Sequence, residues 1–309
     1  MDILIYLLKT NLCLVVFYGF YWVFLRRNTF FVANRMYLIG SILLSFCLPL
    51  IKVKHNYDFE SSLPITLNEI STESVKSMFY TPIVGNFNWI DLMAVIYLTG
   101  AALILGRIIF AFVKIYNLLI NGDPLSEEET REGRNYWLLK SEDTVSSYSF
   151  FNFLILNRDD LYYNRSIITD HEEVHIGQWH SFDVLLLEFV QIFCWFNPLV
   201  ESYKQSLRQI HEFIADGIVA DEEKVSYAEF LFAYNFKANA STLSNNFFND
   251  SLLKERIMMI MKERSPAWIM TKYLLIVPLL VVIGYFVVAK DIRKGDDVAK
   301  PQTFIKKES

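Results

Sequence analysis

Thiol chemistry has little to work with in this chain. There are three cysteines, Cys13, Cys47 and Cys194, far apart and each inside an apolar stretch. No C-x-x-C pair exists, so neither a disulfide framework nor a thiolate zinc site is indicated. The cysteines read as small buried hydrophobes. Positive charge is not in excess either: 29 Lys and Arg stand against 34 Asp and Glu, a net charge of −5. Direct nucleic-acid binding, which normally shows a basic stripe, is therefore not expected. No internal repeat and no low-complexity tract is present. The first apolar stretch lacks a basic n-region and a small-residue cleavage site, and Arg26-Arg27 follows it instead of preceding it. It reads as a retained helix and not as a cleaved signal peptide.

Apolar residues are what the chain has in quantity: 53% are hydrophobic, against roughly 45–50% in an ordinary soluble domain. The excess is concentrated in blocks, which points to a membrane protein. Four segments read as spanning helices, at about 3–25, 36–51, 89–113 and 268–289. Lys9 and Lys272 sit near helix ends and can extend toward an interface. Arg26, Arg27 and Arg35 crowd the first short loop and put it on the cytoplasmic side. That choice places the loop at 54–88 outside, the segment at 114–267 in the cytoplasm or at the membrane boundary, and the tail at 290–309 outside. Both termini are then external. Six Lys and Arg in the tail pull the other way.

The segment at 114–267 is the part long enough for a folded domain. Ser147 to Leu156 is aromatic and β-branched enough to be a strand. A helical pattern follows Asn164, with Ser166 as a candidate N-cap. Within it, His171-Glu172-Glu173-Val174-His175 matches H-E-x-x-H. Histidines four apart share a helix face, so both imidazoles can reach one metal. Glu172 beside that face is the candidate general base. Zinc lowers the pKa of a water it holds to about 7, and a glutamate can take the proton. The motif is short and Glu173 puts a charge inside it, so a solvated helix face with i, i+4 histidines is the competing reading. A third ligand is therefore needed, and Glu212 is the best candidate. It completes a His₂Glu set with one position open, the composition of catalytic zinc sites. Asp216, one turn later, could accept a hydrogen bond from the distal N–H of a liganding histidine.

These residues carry a resemblance. H-E-x-x-H, then Gln178-Trp179-His180-Ser181-Phe182-Asp183, Trp195-Phe196-Asn197-Pro198, His211-Glu212-Phe213-Ile214-Ala215-Asp216 and Leu253-Lys254-Glu255-Arg256-Ile257 resemble the BlaR/MecR-type antirepressor membrane peptidases over roughly residues 1–290. The resemblance implies a mainly α membrane protein. In it an α+β, gluzincin-like zinc metallopeptidase domain is inserted between the third and fourth of four transmembrane helices. It implies regulated proteolysis at a bacterial inner membrane: cleavage of the chain itself and of a cytoplasmic BlaI-like repressor. By motif, His171, His175 and Glu212 would bind Zn2+ and Glu172 would be the base. Sensor members carry an external penicillin-binding domain after the last helix. Only about twenty residues follow it here, so direct β-lactam sensing is not expected. Ser251-Leu252-Leu253-Lys254 matches S-x-x-K but lacks its partner motifs.

Other residues are weighed against blander roles. His180, five positions past His175, lies about 140° round an ideal helix and is expected to point away from the metal, with a supporting role. His211 is expected to face elsewhere. Arg107 inside the third span either pairs with a carboxylate or reaches the interface. Ser149, Phe150, Phe151 and Asn152 are the candidate substrate-binding strand, since peptidases often bind substrates along a sheet edge; a plain core strand is the alternative. Asp183 to Val200 reads as a helix at the membrane boundary or in the core, and Ala240 to Asp250 as a loop. Expected partners are membrane lipid and a cytoplasmic protein substrate, with a homo-oligomer compatible. Two further classes stay open: a housekeeping membrane peptidase of the HtpX or CAAX-prenyl-protease kind, and a non-proteolytic receptor with a structural zinc site.

Overall fold

The computed structural model describes residues 3–51, 89–121, 123–130, 133–141, 146–221, 223–239 and 246–285. The expected outer loop at 54–88 and the tail at 290–309 lie outside the described residues. Four helices are long and apolar enough to cross a membrane: Ile5–Leu25, Phe31–Leu50, Asp91–Ile120 and Ala267–Tyr285. The expected stretches all reappear with shifted ends. The second span starts at Phe31 and not at about Met36, which puts Arg35 inside it. The third continues past Val113.

The first span is α1 (Ile3–Phe20) prolonged by a π-helical turn, Tyr21–Leu25. α2 (Phe31–Cys47) returns beside it. α3 (Trp89–Asn121) is the long third span. A small sheet follows: β1 (Asp123–Glu129), β2 (Asn135–Ser141), β3 (Tyr148–Phe150) and β4 (Phe153–Asn157). Then come α4 (Arg158–Tyr163), α5 (Arg165–Gly177), α6 (His180–Phe193), α7 (Pro198–Val219), α8 (Lys224–Asn239) and α9 (Asn246–Met261). The fourth span opens with a 3₁₀ segment, Ala267–Leu275, and is α-helical over 276–285.

The α1–α2 hairpin does not stand apart from the rest. Leu14, Tyr21, Leu25, Leu38 and Ile42 share one buried cluster with Leu187, Val190, Val200, Tyr203, Leu207 and Ile210. Polar side chains stitch the same contact: Ser41 Oγ lies 3.1 Å from the Tyr203 hydroxyl, and Tyr18 and Ser206 share a hydrogen bond of 3.0 Å. Lys9, expected to extend toward an interface, is buried at 6% exposure. α3 is attached more loosely. The Trp195 indole lies against Gly100, where an added Cβ would come within 2.2 Å of the ring. Only glycine leaves room for that contact. Arg107 on α3 reaches Glu188 at 2.9 Å and Gln191 at 2.7 Å, so of the two expected roles it takes the pairing with a carboxylate.

The sheet order is β1-β2-β4-β3, with β2 and β4 parallel and the other pairs antiparallel. Tyr136, Leu138, Leu154 and Leu156 on one sheet face pack against Ile176 of α5. Each such side chain removed from water contributes about 1.5–3 kcal/mol, so the motif helix is fixed to the sheet by its own apolar face. The single strand expected over Ser147 to Leu156 is instead the β3–β4 hairpin. Phe151, at φ 49, and Asn152 make its turn. An aromatic residue in the left-handed region leaves no composition signal, which is why the two strands read as one.

Three local boundaries also differ from expectation. α5 starts at Arg165, with Asn164 and not Ser166 at its N-cap. The stretch Asp183 to Val200 is split: α6 ends at Phe193, and Pro198 opens α7. Asn197 accepts from the Leu199 N–H at 2.9 Å and donates to Asn11 on α1 at 2.7 Å, so capping and docking coincide there. Residues Asn246 to Asp250 of the expected loop belong to α9; the preceding residues 240–245 lie outside the described residues.

Candidate metal centre

α5 and α7 pack side by side and bring the motif to Glu212. His171 Nε2 and His175 Nε2 are 3.3 Å apart. Glu212 places Oε2 3.4 Å from His171 Nε2 and Oε1 3.7 Å from His175 Nε2. The three residues form a group whose ligand atoms all lie within 4.8 Å of one another. Ligands about 2.0–2.2 Å from a tetrahedral ion sit roughly 3.3–3.5 Å from each other. The His171–His175 and His171–Glu212 separations fall in that range and the His175–Glu212 one, to the other carboxylate oxygen, is slightly wider; two imidazoles and a carboxylate suit a divalent ion and leave a fourth position open.

Glu172 lies next to this group and is half-buried. Its Oε2 accepts from Ser149 Oγ at 2.7 Å, which ties the candidate base to strand β3. Desolvation raises its pKa, against the lowering influence of His171 and the Ser149 bond. That direction suits a group that must hold a proton and then release it. Glu173, the charge inside the motif, accepts from the Tyr136 hydroxyl at 2.9 Å. It belongs to the packing of α5 on the sheet.

The remaining candidate strand residues divide. β3 forms one end of the sheet, as a strand that adds an extended substrate requires. Phe150 stacks edge-on to Phe151 at 4.7 Å and meets Phe112 of α3 at 6.2 Å. The Phe151 N–H is taken by Ser181 Oγ at 2.9 Å. The Asn152 carbonyl accepts from the Trp137 N–H at 2.8 Å. Only Ser149 touches the centre.

Each histidine has its own support. His171 Nδ1 lies 3.1 Å from the Tyr227 hydroxyl and 3.5 Å from Asp216 Oδ1. Tyr227 in turn donates to Asp216 at 3.0 Å. Asp216 is completely buried and is clamped by Arg256 through Nε at 2.8 Å and Nη2 at 2.6 Å. Arg256 Nη1 also pairs with Glu212 Oε2 at 2.9 Å. Asp216 lies near His171, but the Tyr227 hydroxyl is interposed between them. Tyr227 and Arg256 were not foreseen; no spacing rule links them to the motif.

His175 is supported differently: His180 has the supporting role expected of it, but reaches it through a turn that an ideal helix does not predict. α5 stops at Gly177, and Trp179 adopts the left-handed conformation at φ 58, a strain of about 1–2 kcal/mol for a residue with a Cβ. The chain doubles back, so His180 Nδ1 comes to 2.7 Å from His175 Nδ1 instead of pointing away. His211, expected to face elsewhere, stacks on His180 with centroids 3.9 Å apart and an angle of 10°. His211 Nε2 lies 2.8 Å from Asp183 Oδ2, and Asp183 accepts from Arg35 Nε of α2 at 2.6 Å.

Charge follows this division. Burial would lower the His171 pKa, but the Glu212 bond and charge, with Asp216, outweigh it and raise the value. Burial lowers His175 to about 3, with Glu212 opposing. Burial also lowers His180 and His211. Burial would raise Glu212, but His171 and Arg256 hold it well below the usual carboxylate range. The carboxylate and the imidazole of His175 therefore stand in the protonation states that metal binding needs.

No curated protein matches this chain. A protein-family model described as BlaR1 peptidase M56 matches residues 161–260. That segment runs from α4 to α9 and contains His171, Glu172, His175, Glu212, Asp216 and Arg256. The segment at 161–260 is therefore similar to the BlaR1 M56 peptidases, and it stands beside four helices long and apolar enough to cross a membrane.

Proposed function

We propose that the chain is a zinc-dependent membrane endopeptidase that acts as a signal-transducing antirepressor, cutting itself, a cytoplasmic BlaI-like repressor, or both. The observation that carries the reading is the convergence of His171, His175 and Glu212 with Glu172 hydrogen-bonded to strand β3. In this reading the two imidazoles and the Glu212 carboxylate hold Zn2+. The ion, when bound, supplies a more acidic water and a positive charge for the developing oxyanion. Glu172 would be the base that takes a proton from the attacking water as its oxygen bonds to the peptide carbonyl carbon. The same carboxyl gives the proton to the amide nitrogen as the C–N bond breaks. β3 offers main-chain groups along which an extended substrate can lie. A purely structural metal site needs no general base, so the placement of Glu172 favours catalysis.

Contacts across the first loop support a cytoplasmic position for this centre. Arg26 pairs with Glu255 of α9 at 2.9 Å. Thr29 and Ser265 exchange backbone-to-hydroxyl bonds of 3.1 and 2.7 Å. The arginine-bearing loop and the peptidase segment are therefore on one side, and short basic loops favour the cytoplasm. In this reading both termini are external and the membrane is the bacterial inner membrane.

The test is proteomic. Wild type and Glu172→Gln are expressed side by side, and cytoplasmic proteins that shorten only with wild type are identified. A DNA-binding repressor among them, or a shortened form of the chain itself, is the expected result. Identical fragments with Glu172→Gln would remove the peptidase assignment.

A further inference from the structure

If His175 ligates through Nε2, its Nδ1 carries a proton and needs an acceptor. Liganding histidines usually donate that proton to a carboxylate, a carbonyl or a water. Here the atom in reach is Nδ1 of His180, 2.7 Å away. His180 must then be the tautomer with its proton on Nε2. That nitrogen is buried and has no partner among the described residues, so no hydrogen bond at its far end orients the ring. Orientation comes from the parallel stack on His211. His211 is fixed in turn through its 2.8 Å contact with Asp183.

Asp183 leads to α2. Arg35 Nε donates to Asp183 Oδ2 at 2.6 Å, and the side chains are 14% and 10% exposed. The other guanidinium nitrogens hold Gln178, through its carbonyl at 2.7 Å and Oε1 at 3.3 Å. Gln178 and Trp179 form the turn that carries His180 back to His175. One planar fork thus fixes both the turn and the carboxylate that set the His180 ring, a task the single ammonium of lysine cannot duplicate.

We propose that Arg35, on the second apolar helix, is a positioning residue for the metal centre, acting through Asp183, His211 and His180 on the ring of His175. The proposal rests on the reading of His175 as a ligand. His171 has no such link: Tyr227, Asp216 and Arg256 belong to α8, α7 and α9. A displacement of α2 against the α5–α6 turn therefore reaches His175 through these side chains. This gives an apolar helix a direct mechanical hold on the metal.

The measurement is zinc affinity of the full chain in detergent micelles, by competition with a chromophoric chelator. His180→Ala and Arg35→Ala are each expected to weaken binding about 10–100-fold, the range seen when partners of metal ligands are removed. Because both act on one ring, the double variant should be no weaker than the worse single variant, whereas independent effects would multiply. Arg35→Lys should recover part of the loss. Arg107→Ala breaks another ion pair between an apolar helix and α6 and should leave affinity unchanged. Should Arg35→Ala yield no folded protein, Asp183→Asn removes the charge at constant shape and carries the same expectation. Wild-type affinity in Arg35→Ala or Asp183→Asn, or losses that multiply in the double variant, would overturn the relay while leaving the metal site intact. Absence of zinc binding by the wild type would instead remove the reading of the site itself.

Discussion

The two histidines of the motif are equivalent in sequence and unlike in surroundings. His171 is backed by a hydroxyl, a fully buried carboxylate and an arginine that also grips Glu212. His175 is backed by two stacked imidazoles, and charge enters only at the third step, through Asp183 and Arg35. The first side is a dense ion network that holds two candidate ligands together. The second is a longer chain of single contacts ending on a helix able to cross a membrane.

Breaking the dense side should have the largest effect. Arg256→Ala leaves Asp216 buried without its counter-charge and releases Glu212. Removing one partner of a buried pair costs about 3–5 kcal/mol, so the metal-free protein should show a loss of that order in denaturant unfolding, together with weakened zinc binding. A variant as stable as wild type would show that the two sides do not differ in this way.

The pH dependence of the metal-free protein sharpens the contrast. The His175 pKa falls from an ordinary 6.5 to about 3 through burial. The unfolded chain then binds that proton more tightly, so the contribution of His175 is full above about pH 6.5 and is lost as the pH falls toward 3. His171 is shifted upward; its contribution is full below its unfolded pKa and is lost as the pH rises through the raised one. With chelator present, unfolding temperatures taken from about pH 7.5 down to about pH 5 should fall. His175→Ala should flatten that decline and His171→Ala should not.

Smaller effects test the groups around the two sides. Ser149→Ala removes one hydrogen bond to a carboxylate, a loss of roughly tenfold in cleavage rate. Zinc affinity should stay unchanged. Because that bond lowers the Glu172 pKa, the acid limb of the pH–rate profile should move to higher pH. Tyr227→Phe deletes a neutral hydrogen bond worth about 0.5–1.5 kcal/mol. Asp216 remains close to His171, so zinc binding should weaken only a few-fold, less than in His180→Ala.

How much of this was readable beforehand also differs between the two sides. The apolar blocks gave the four candidate spans because length and composition are local properties. His171, Glu172 and His175 were readable because a helix turns a spacing of four into one face. Glu212 and Asp216 followed from a second helical spacing. Tyr227 and Arg256 were not readable, since their contacts span 56 and 40 residues. The His175 side was misread for a more local reason. Extending α5 as an ideal helix sends His180 away, and only the left-handed Trp179, a bulky residue with none of glycine's signal, turns it back. Arg35 was legible as a positive charge beside a span, and its structural use depends on that same turn. The β3–β4 hairpin was hidden likewise by Phe151 at positive φ.

Metal content is the most direct check on the centre itself. Full-length wild type, Glu172→Gln and the His171→Ala/His175→Ala double variant would be purified without added chelator and analysed for zinc and for cleavage. Stoichiometric zinc in wild type and Glu172→Gln, none in the double variant, and cleavage by wild type alone are the expected results. Stoichiometric zinc retained by the double variant would contradict the assignment of the ligands.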